Sequence, residues 1–541
     1  MKKLIIILSL IISQNLIAQT TYIQDTIFVD STLSDTVYLT DNLVIDAGVT
    51  LRLLPGTKLI ATDTFGVFVQ GRIIAEGNEQ DSILFTRDDT TGFSDLTLTT
   101  GGWKGFYFIN TPASNDTSIF DYCVFEYGKA RDSIYYDESR GGMFSINNFR
   151  KLRITNSLIQ YNIALSQGAG ILLENNSFAI ISHNKFIHNN IENFYGSGIN
   201  APEGGAIYIR DNSNPIISWN LFENNIAVKY INDVMFRIWD GAGSAIFCSS
   251  ADLSSVSPII THNQCCNNFS WSGTIYESTM GAIVANNIIF NNFGCGIFNG
   301  HQLSKSVYVN NVCVYNTNVG IDINSAEVIV NNNIVYGNRQ YDLWGNLKDS
   351  IQIKLSSLLS YNHHVQYNCV EFGYDAEPNN ISSLPLFVNP TSGIDTSYDY
   401  YIGNYDWHLL DSSACINAGN PDTSGLFLPV YDLDGEPRIY GTIDIGAYEN
   451  QSISAISSID MKNNMIAYPN PTTDFVHFSF PENQPIIKTV SIYNMQGQIV
   501  KTGSVNKQNS KISLKSLSAG LYFYHITENN KLLQTGKIVK Q

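Results

Sequence analysis

Three stretches of this chain gather side chains that could grip a hydroxyl-rich ligand. Residues 127–141, 190–204 and 226–242 hold Tyr135, Tyr136, Phe194, Tyr195, Tyr230, Phe236 and Trp239, interspersed with Arg131, Arg140, Lys229, Arg237 and Asp240. Aromatic faces beside hydrogen-bonding groups suit sugar rings, which have apolar faces and hydroxyl rims. Tyr135, Tyr195, Tyr230, Arg237, Trp239 and Asp240 are therefore the residues expected to bind a polysaccharide or surface glycan. The plainer reading is that these aromatics pack the loops against the body. Catalysis asks for more. A glycosidase needs two carboxylates about 5 Å or about 6.5–9.5 Å apart, and a lyase needs a base beside a group that neutralises a carboxylate. Asp240, Glu203, Lys229 and Arg237 could serve either scheme, and their spacing selects neither. No Gly-x-Ser-x-Gly, Walker loop or His-Glu-x-x-His occurs, nor a Cys/His spacing for a metal. Of the nine His, His188 alone stands in a readable place, and it reads as a surface residue.

The elements that must position these residues come from a returning phrase: Asn, any residue, an apolar residue, two more, then Asn. It starts at Asn184, Asn220, Asn263, Asn287, Asn311 and Asn333, with a weaker copy at Asn156 and a degenerate one at Asp121. The last four anchors lie 24, 24 and 22 residues apart, the period of a solenoid whose turns each supply one rung. Two residues after the anchors stand Cys123, Leu158, Phe186, Phe222, Cys265, Ile289, Cys313 and Val335, a wholly apolar column that should point inward. Five residues after them stand Asn189, Asn225, Asn268, Asn292, Asn316 and Asn338, which can bond along a ladder at a tight turn. A second strand signal, Gly-x-Ile-like, places Ile171, Ile207, Ile297 and Ile321 upstream of their anchors. Residues 127–141, 190–204 and 226–242 are insertions at one corner of this repeat, so they project from one side, where solenoids carry their binding function.

These columns resemble the right-handed parallel β-helix of pectate-lyase-like proteins and many bacterial surface proteins. The resemblance implies an all-β, single-stranded solenoid of about a dozen coils, a rod on the order of 55 Å long at ~4.8 Å per rung. Neither an Asp pair like that of polygalacturonases nor a pectate-lyase-like Asp cluster for calcium is visible. The eight cysteines read as buried thiols, since Cys265 and Cys313 share a column but stand two rungs apart, beyond disulfide reach.

Both ends differ from the repeat. Lys2 and Lys3 before the apolar run Leu4 to Ile12, with Ala18 beyond it, read as a signal peptide over residues 1–18. Residues 19–405 are assigned to the β-helix and 406–450 to a segment like the closing segment of exported β-helix proteins, with INAGN, DLDG-x-PR and D-IGAYE, expected to cover the last open rung. Asp432 and Asp434 before Gly435 suggest a calcium loop, but Ile443 stands where an EF-hand needs Glu, and an Asp–Arg438 structural network is preferred. No cofactor is expected. After a linker at 451–458, residues 459–541 carry 9 Lys+Arg against 4 Asp+Glu, a basic tail on a chain of net charge −17.

The tail's YPNP start, its Tyr-Asn-x-x-Gly-Gln hairpin and its Ser-Ala-Gly-Leu-Tyr turn resemble the type A sorting domain of the type IX secretion system. That implies a small β-sandwich-like module that engages the secretion machinery and delivers the passenger to the cell surface or medium. Asp-Ser/Thr-Ile/Val at Asp25, Asp35, Asp81, Asp132 and Asp349 resembles the O-glycosylation sequon that accompanies such export. An acidic chain with no later apolar stretch long enough to span a bilayer argues against nucleic acid, anionic lipid and a transmembrane helix in the mature protein. The expectation is a non-catalytic polysaccharide-binding or adhesin-like passenger, the alternative a polysaccharide lyase or glycoside hydrolase.

Overall fold

The computed structural model describes residues 20–95, 98–130, 140–194, 202–231, 234–250, 258–279, 281–325, 327–341, 347–355, 364–372, 374, 378–390, 405–451, 467–478, 488–494, 498–506, 510–528 and 531–541. For residues 20, 192–194, 230, 231, 234–240, 341 and 531–535 the backbone alone is described. The signal-peptide assignment and most of the linker lie outside these residues. Two units divide the chain at Gln451 and Ser452.

The first unit is a parallel β-helix. Each coil has three strands where the sequence signals two, as in Ile171–Glu174, Ala179–Ser182 and Lys185–Ile187. The second strand of each coil joins a 12-stranded parallel sheet, which matches the expected dozen coils. First strands stack Ile171 on Ile207, Ile246, Ile275, Ile297 and Ile321, so the isoleucine signal is one inward row. Third strands stack Phe186 on Phe222, Cys265, Ile289, Cys313 and Val335, all fully buried. Alternation along each strand sends the flanking residues outward.

Register at the start of the repeat differs from the sequence alignment. Ile159 pairs with Phe186 and Phe125 with Ile159, so these occupy the inward column in place of Leu158 and Cys123. The ladder position belongs to Ser157 and Cys123: Ser157 N donates to Asn184 Oδ1 at 3.0 Å and Cys123 N to Ser157 Oγ at 3.0 Å. Asn156 instead occupies the corner preceding the ladder, with φ of 48°, as do His183, Trp219, His262, Asn286, Asn310 and Asn332 with φ between 54° and 60°. Asn is favoured both at left-handed corners and in ladders, so the two roles look alike in sequence.

Both Asn ladders form. Each anchor Nδ2 reaches the next anchor's Oδ1, at 3.1 Å for Asn184 to Asn220 and 2.9 Å for Asn220 to Asn263, and the row runs on to Asn333, Asn368 and Asn380. The second ladder starts one rung earlier than its motif, with Asn162 donating to Asn189 at 2.8 Å. Each rung that carries both asparagines thereby satisfies buried backbone groups at two corners.

Residues 405–450 run along the side of the rod instead of covering only its last rung. Trp407, Cys415, Leu433, Ile445 and Ala447 bury the outward faces of Cys266, Ile288, Phe290, Val312, Val314, Ile334 and Cys369. Tyr431 O accepts from His262 Nε2 and Asn286 Nδ2, both at 2.9 Å, and Asn310 Nδ2 donates to Asp444 O at 2.8 Å. The reason is visible in the strands. Ile288–Phe290 and Val312–Val314 are apolar on both faces and need cover on both, whereas the equivalent outward residue Lys185 is exposed.

The second unit packs a three-stranded sheet against a four-stranded antiparallel one that includes Gly520–Glu528 and Lys531–Lys540. Val476, Phe478, Val490, Ile492, Ile526 and Ile538 are in its core.

Candidate functional site

The three insertions leave the rod on one sheet. Lys129–Ala130 pairs in parallel with Ile163–Ala164, that strand with Asn190–Phe194, and Asn190–Phe194 with Ile226–Ile231. Val234–Asp240 folds back antiparallel, setting Lys229 opposite Asp240 and Tyr230 opposite Ile238. Arg237, Trp239 and Asp240 thus share this returning strand, and Tyr230 stands on its partner. Tyr135 and Tyr195 lie outside the described residues, as do Tyr136 and Arg131.

Where the insertions rejoin the rod, backbone bridges align Arg140, Gln167, Glu203 and Ala242 in one column along the axis. Gln167 Nε2 donates to Glu203 Oε2 at 3.0 Å. Arg140 is not the loop residue its sequence position implies. It is buried, and its Nη1 lies 3.0 Å from Glu174 Oε2, because a guanidinium beneath the insertions needs a carboxylate partner. Glu174 also takes Arg210 Nη2 at 2.8 Å and Asn147 Nδ2 at 3.0 Å, and Arg210 bridges on to Asp211 at 2.9 Å. Beside this column stands Tyr208, with Glu203 and Ser249 as its polar neighbours. Burial first, and then the Glu203 charge, hold its phenol above the ordinary range.

Tyr208, Phe247, Tyr276 and Phe298 stack on successive rungs with centroids 5.1, 4.6 and 4.9 Å apart and planes within 16°. Rings stacked this way present edges to the outside, so the row stabilises the sheet rather than offering faces to a sugar. Glu174, Tyr208 and Arg210 escaped the sequence reading because they sit on regular strands or, for Arg210, directly after one, not in insertions. The outward position of each on or just after its strand was the available signal.

Lys129 lies near the start of the first insertion and ties down a neighbouring loop. Its Nζ donates to the carbonyls of Gly92, Phe93, Asp95 and Thr100 at 2.8–3.1 Å. His188 is half-buried and stacks on Tyr161 at 5.2 Å, and burial lowers its pKa. In the 405–450 segment Asp432 is occupied by the backbone N–H groups of Asp434, Glu436 and Glu449 at 2.8–2.9 Å. Arg438 is buried against Glu449 at 2.8 Å, so the expected network has Glu449 as its main acceptor. Among the described residues no group of His, Cys, Asp and Glu is arranged to hold a metal, and no helix is long and apolar enough to cross a membrane. Of the sequon-like hydroxyls, Ser82 is exposed and Thr26, Thr36 and Ser350 are half-exposed.

Beta-agarase A of Zobellia galactanivorans is 44% identical over 69 residues, 12% of this chain and 12% of that protein. The chain therefore spans only about an eighth of the length of the curated relative it matches. Residues 466–541 match the family described as the secretion system C-terminal sorting domain, which implies export to the cell surface or beyond as the destination of the β-helix that precedes it.

Proposed function

We propose that the exported β-helix is a non-catalytic polysaccharide-binding or adhesin-like passenger. The glycan would run beside the insertion sheet, held by Tyr135, Tyr195, Tyr230, Arg237, Trp239 and Asp240. One observation carries this reading. Three insertions share a single sheet and return to the rod beside the column of Arg140, Gln167 and Glu203. A linear, hydroxyl-rich polymer repeats along its length as the rungs do, and the guanidinium of Arg237 and the carboxylate of Asp240 would pair with its hydroxyls. The short stretch shared with a beta-agarase adds only an association with a polysaccharide-directed protein.

The second reading, a polysaccharide lyase or glycoside hydrolase, draws on the contact between Tyr208 and Glu203, since a phenol beside a carboxylate can relay a proton. Incubating the mature protein with acidic and neutral polysaccharides separates the two readings. Retention without product, lost in Tyr195→Ala or Trp239→Ala, supports binding. New unsaturated or reducing ends, abolished in Glu203→Gln, Arg237→Ala or Asp240→Ala, establish the enzyme. Neither signal leaves a structural rod.

A further inference from the structure

The lateral segment and the last rung meet through two cysteines. Cys369 stands at the end of the outward row formed by Ile288, Val312 and Ile334. That row faces residues 405–450, and Cys369 and Cys415 are fully buried in the same apolar cluster as Trp407 and Ile445. The backbone around Cys415 is fixed, with Ile445 N donating to its carbonyl at 3.0 Å and its own N–H donating to Ser413 Oγ at 3.2 Å. Cys369 Sγ reaches the Ser383 carbonyl at 3.1 Å, and Ser413 Oγ, which accepts from Cys415 N, donates to the Pro385 carbonyl at 2.5 Å, so both cysteines are held against residues 383–385. Cys265 and Cys313, in contrast, are separated by Ile289.

We propose that Cys369 and Cys415 are joined by a disulfide in the exported protein, fastening the lateral segment to the last rung. A chain bearing a sorting domain leaves the reducing cytoplasm for compartments where disulfides persist. The oxidant is a protein disulfide of the thiol–disulfide oxidoreductase class. One cysteine thiolate attacks a sulfur of that disulfide, giving a mixed disulfide and freeing one thiolate of the oxidoreductase. The second cysteine thiolate then displaces the oxidoreductase. The pair gives up two protons and two electrons, and the oxidoreductase leaves as a dithiol. The neighbouring Cys415 thiol and burial hold the Cys369 thiol well above the ordinary range, so exchange belongs to the stage before the segment docks. Closing a loop between residues so far apart in the chain restricts the unfolded state.

The test uses the full chain recovered from outside the cell, alkylated under denaturing, non-reducing conditions and mapped by mass spectrometry. The expected result is a peptide pair linking Cys369 to Cys415, lighter than the two free peptides by two hydrogens, with the other cysteines alkylated. Alkylation of both residues, or linkage of either to a different cysteine, overturns the proposal. A reductant should lower the Tm of the wild type and leave that of Cys369→Ala/Cys415→Ala unchanged, and a wild-type Tm indifferent to reductant counts against it. If the double variant does not fold, the peptide map of the wild type still decides.

Discussion

The phenyl rings of Phe186 and Phe222 lie one rung apart with centroids 4.8 Å from each other and planes within 10°. Both are fully buried, and each fills the inward position of a third strand. Because each rung contacts its neighbours above and below, loss of one ring leaves a void between two rungs. Phe222→Ala is expected to cost about 3–5 kcal/mol, read by chemical denaturation of the passenger. A cost under about 1 kcal/mol would mean the column does not pack as described.

The Asn268 side chain makes four bonds in its ladder. Its Oδ1 accepts from Asn225 N at 3.0 Å and Asn225 Nδ2 at 2.9 Å, and its Nδ2 donates to Phe222 O and Asn292 Oδ1, both at 2.9 Å. Asn268→Ala strips partners from buried groups on both neighbouring rungs, so about 2–4 kcal/mol should be lost. Asn162→Ala, nearer the start of the ladder, tests the same arithmetic. Equal stability of wild type and Asn268→Ala would show the ladder to be energetically idle.

Stability of the 405–450 segment should depend on pH through His408 and Glu449. Partial burial opposes the His408 charge, but Asp434 at 2.5 Å and Asp406 at 2.6 Å outweigh it and raise its pKa above 6.5. A raised His pKa means the folded state holds the proton more tightly, so this contribution is present in acid and lost as pH rises through the raised value. Burial pushes Glu449 up to about 7 against the attraction of Arg438, and a raised carboxylate carries the same sign. The segment should therefore loosen as pH climbs from about 4.5 past 7, seen as falling protection factors, with the intrinsic rise of exchange with pH divided out, at the Ile445 and Gly446 amides. His408→Gln should flatten the upper part of that dependence.

Removing residues 459–541 should leave the passenger inside the cell envelope. Fractionation with an antibody to the β-helix reads this directly, and undiminished passenger in the medium would remove the sorting role from the tail.

Lys129→Met replaces an ammonium that four carbonyls hold. The loop at 92–100 should become susceptible to limited proteolysis while the rungs keep their circular dichroism. Unchanged cleavage would show that the loop is held by other contacts.

The β-helix was legible because Phe186, Phe222 and Ile289 repeat at a fixed offset from Asn residues whose ladder role demands that side chain. It became illegible where one residue type serves two purposes. Asn156 obeys the left-handed corner, not the ladder, and that put Leu158 in the inward column where Ile159 belongs. The lateral course of residues 405–450 was hidden because the motif reading attended to one face of each strand. Phe290 and Val314 carried the missing information, since an apolar residue on the outward face asks for a cover. For the candidate site, insertion length located the corner, but Glu174 and Arg210 owe their roles to stacking between rungs, which a linear reading does not display.

The lateral segment also sets how the molecule can vary in length. Between two plain rungs of a ladder, a whole coil can be added or deleted with no more disturbance than a new step on a staircase. Residues 405–450 remove that freedom where they run, because Tyr431, Asp444 and Asn420 must find His262, Asn310 and Asn332 on particular rungs. A coil gained or lost between Asn263 and Asn333 would misplace these partners together. Duplications and deletions of single coils should therefore be tolerated before Asn220 and rejected after it, so that the braced end works as a fixed gauge and the opposite end as the adjustable one.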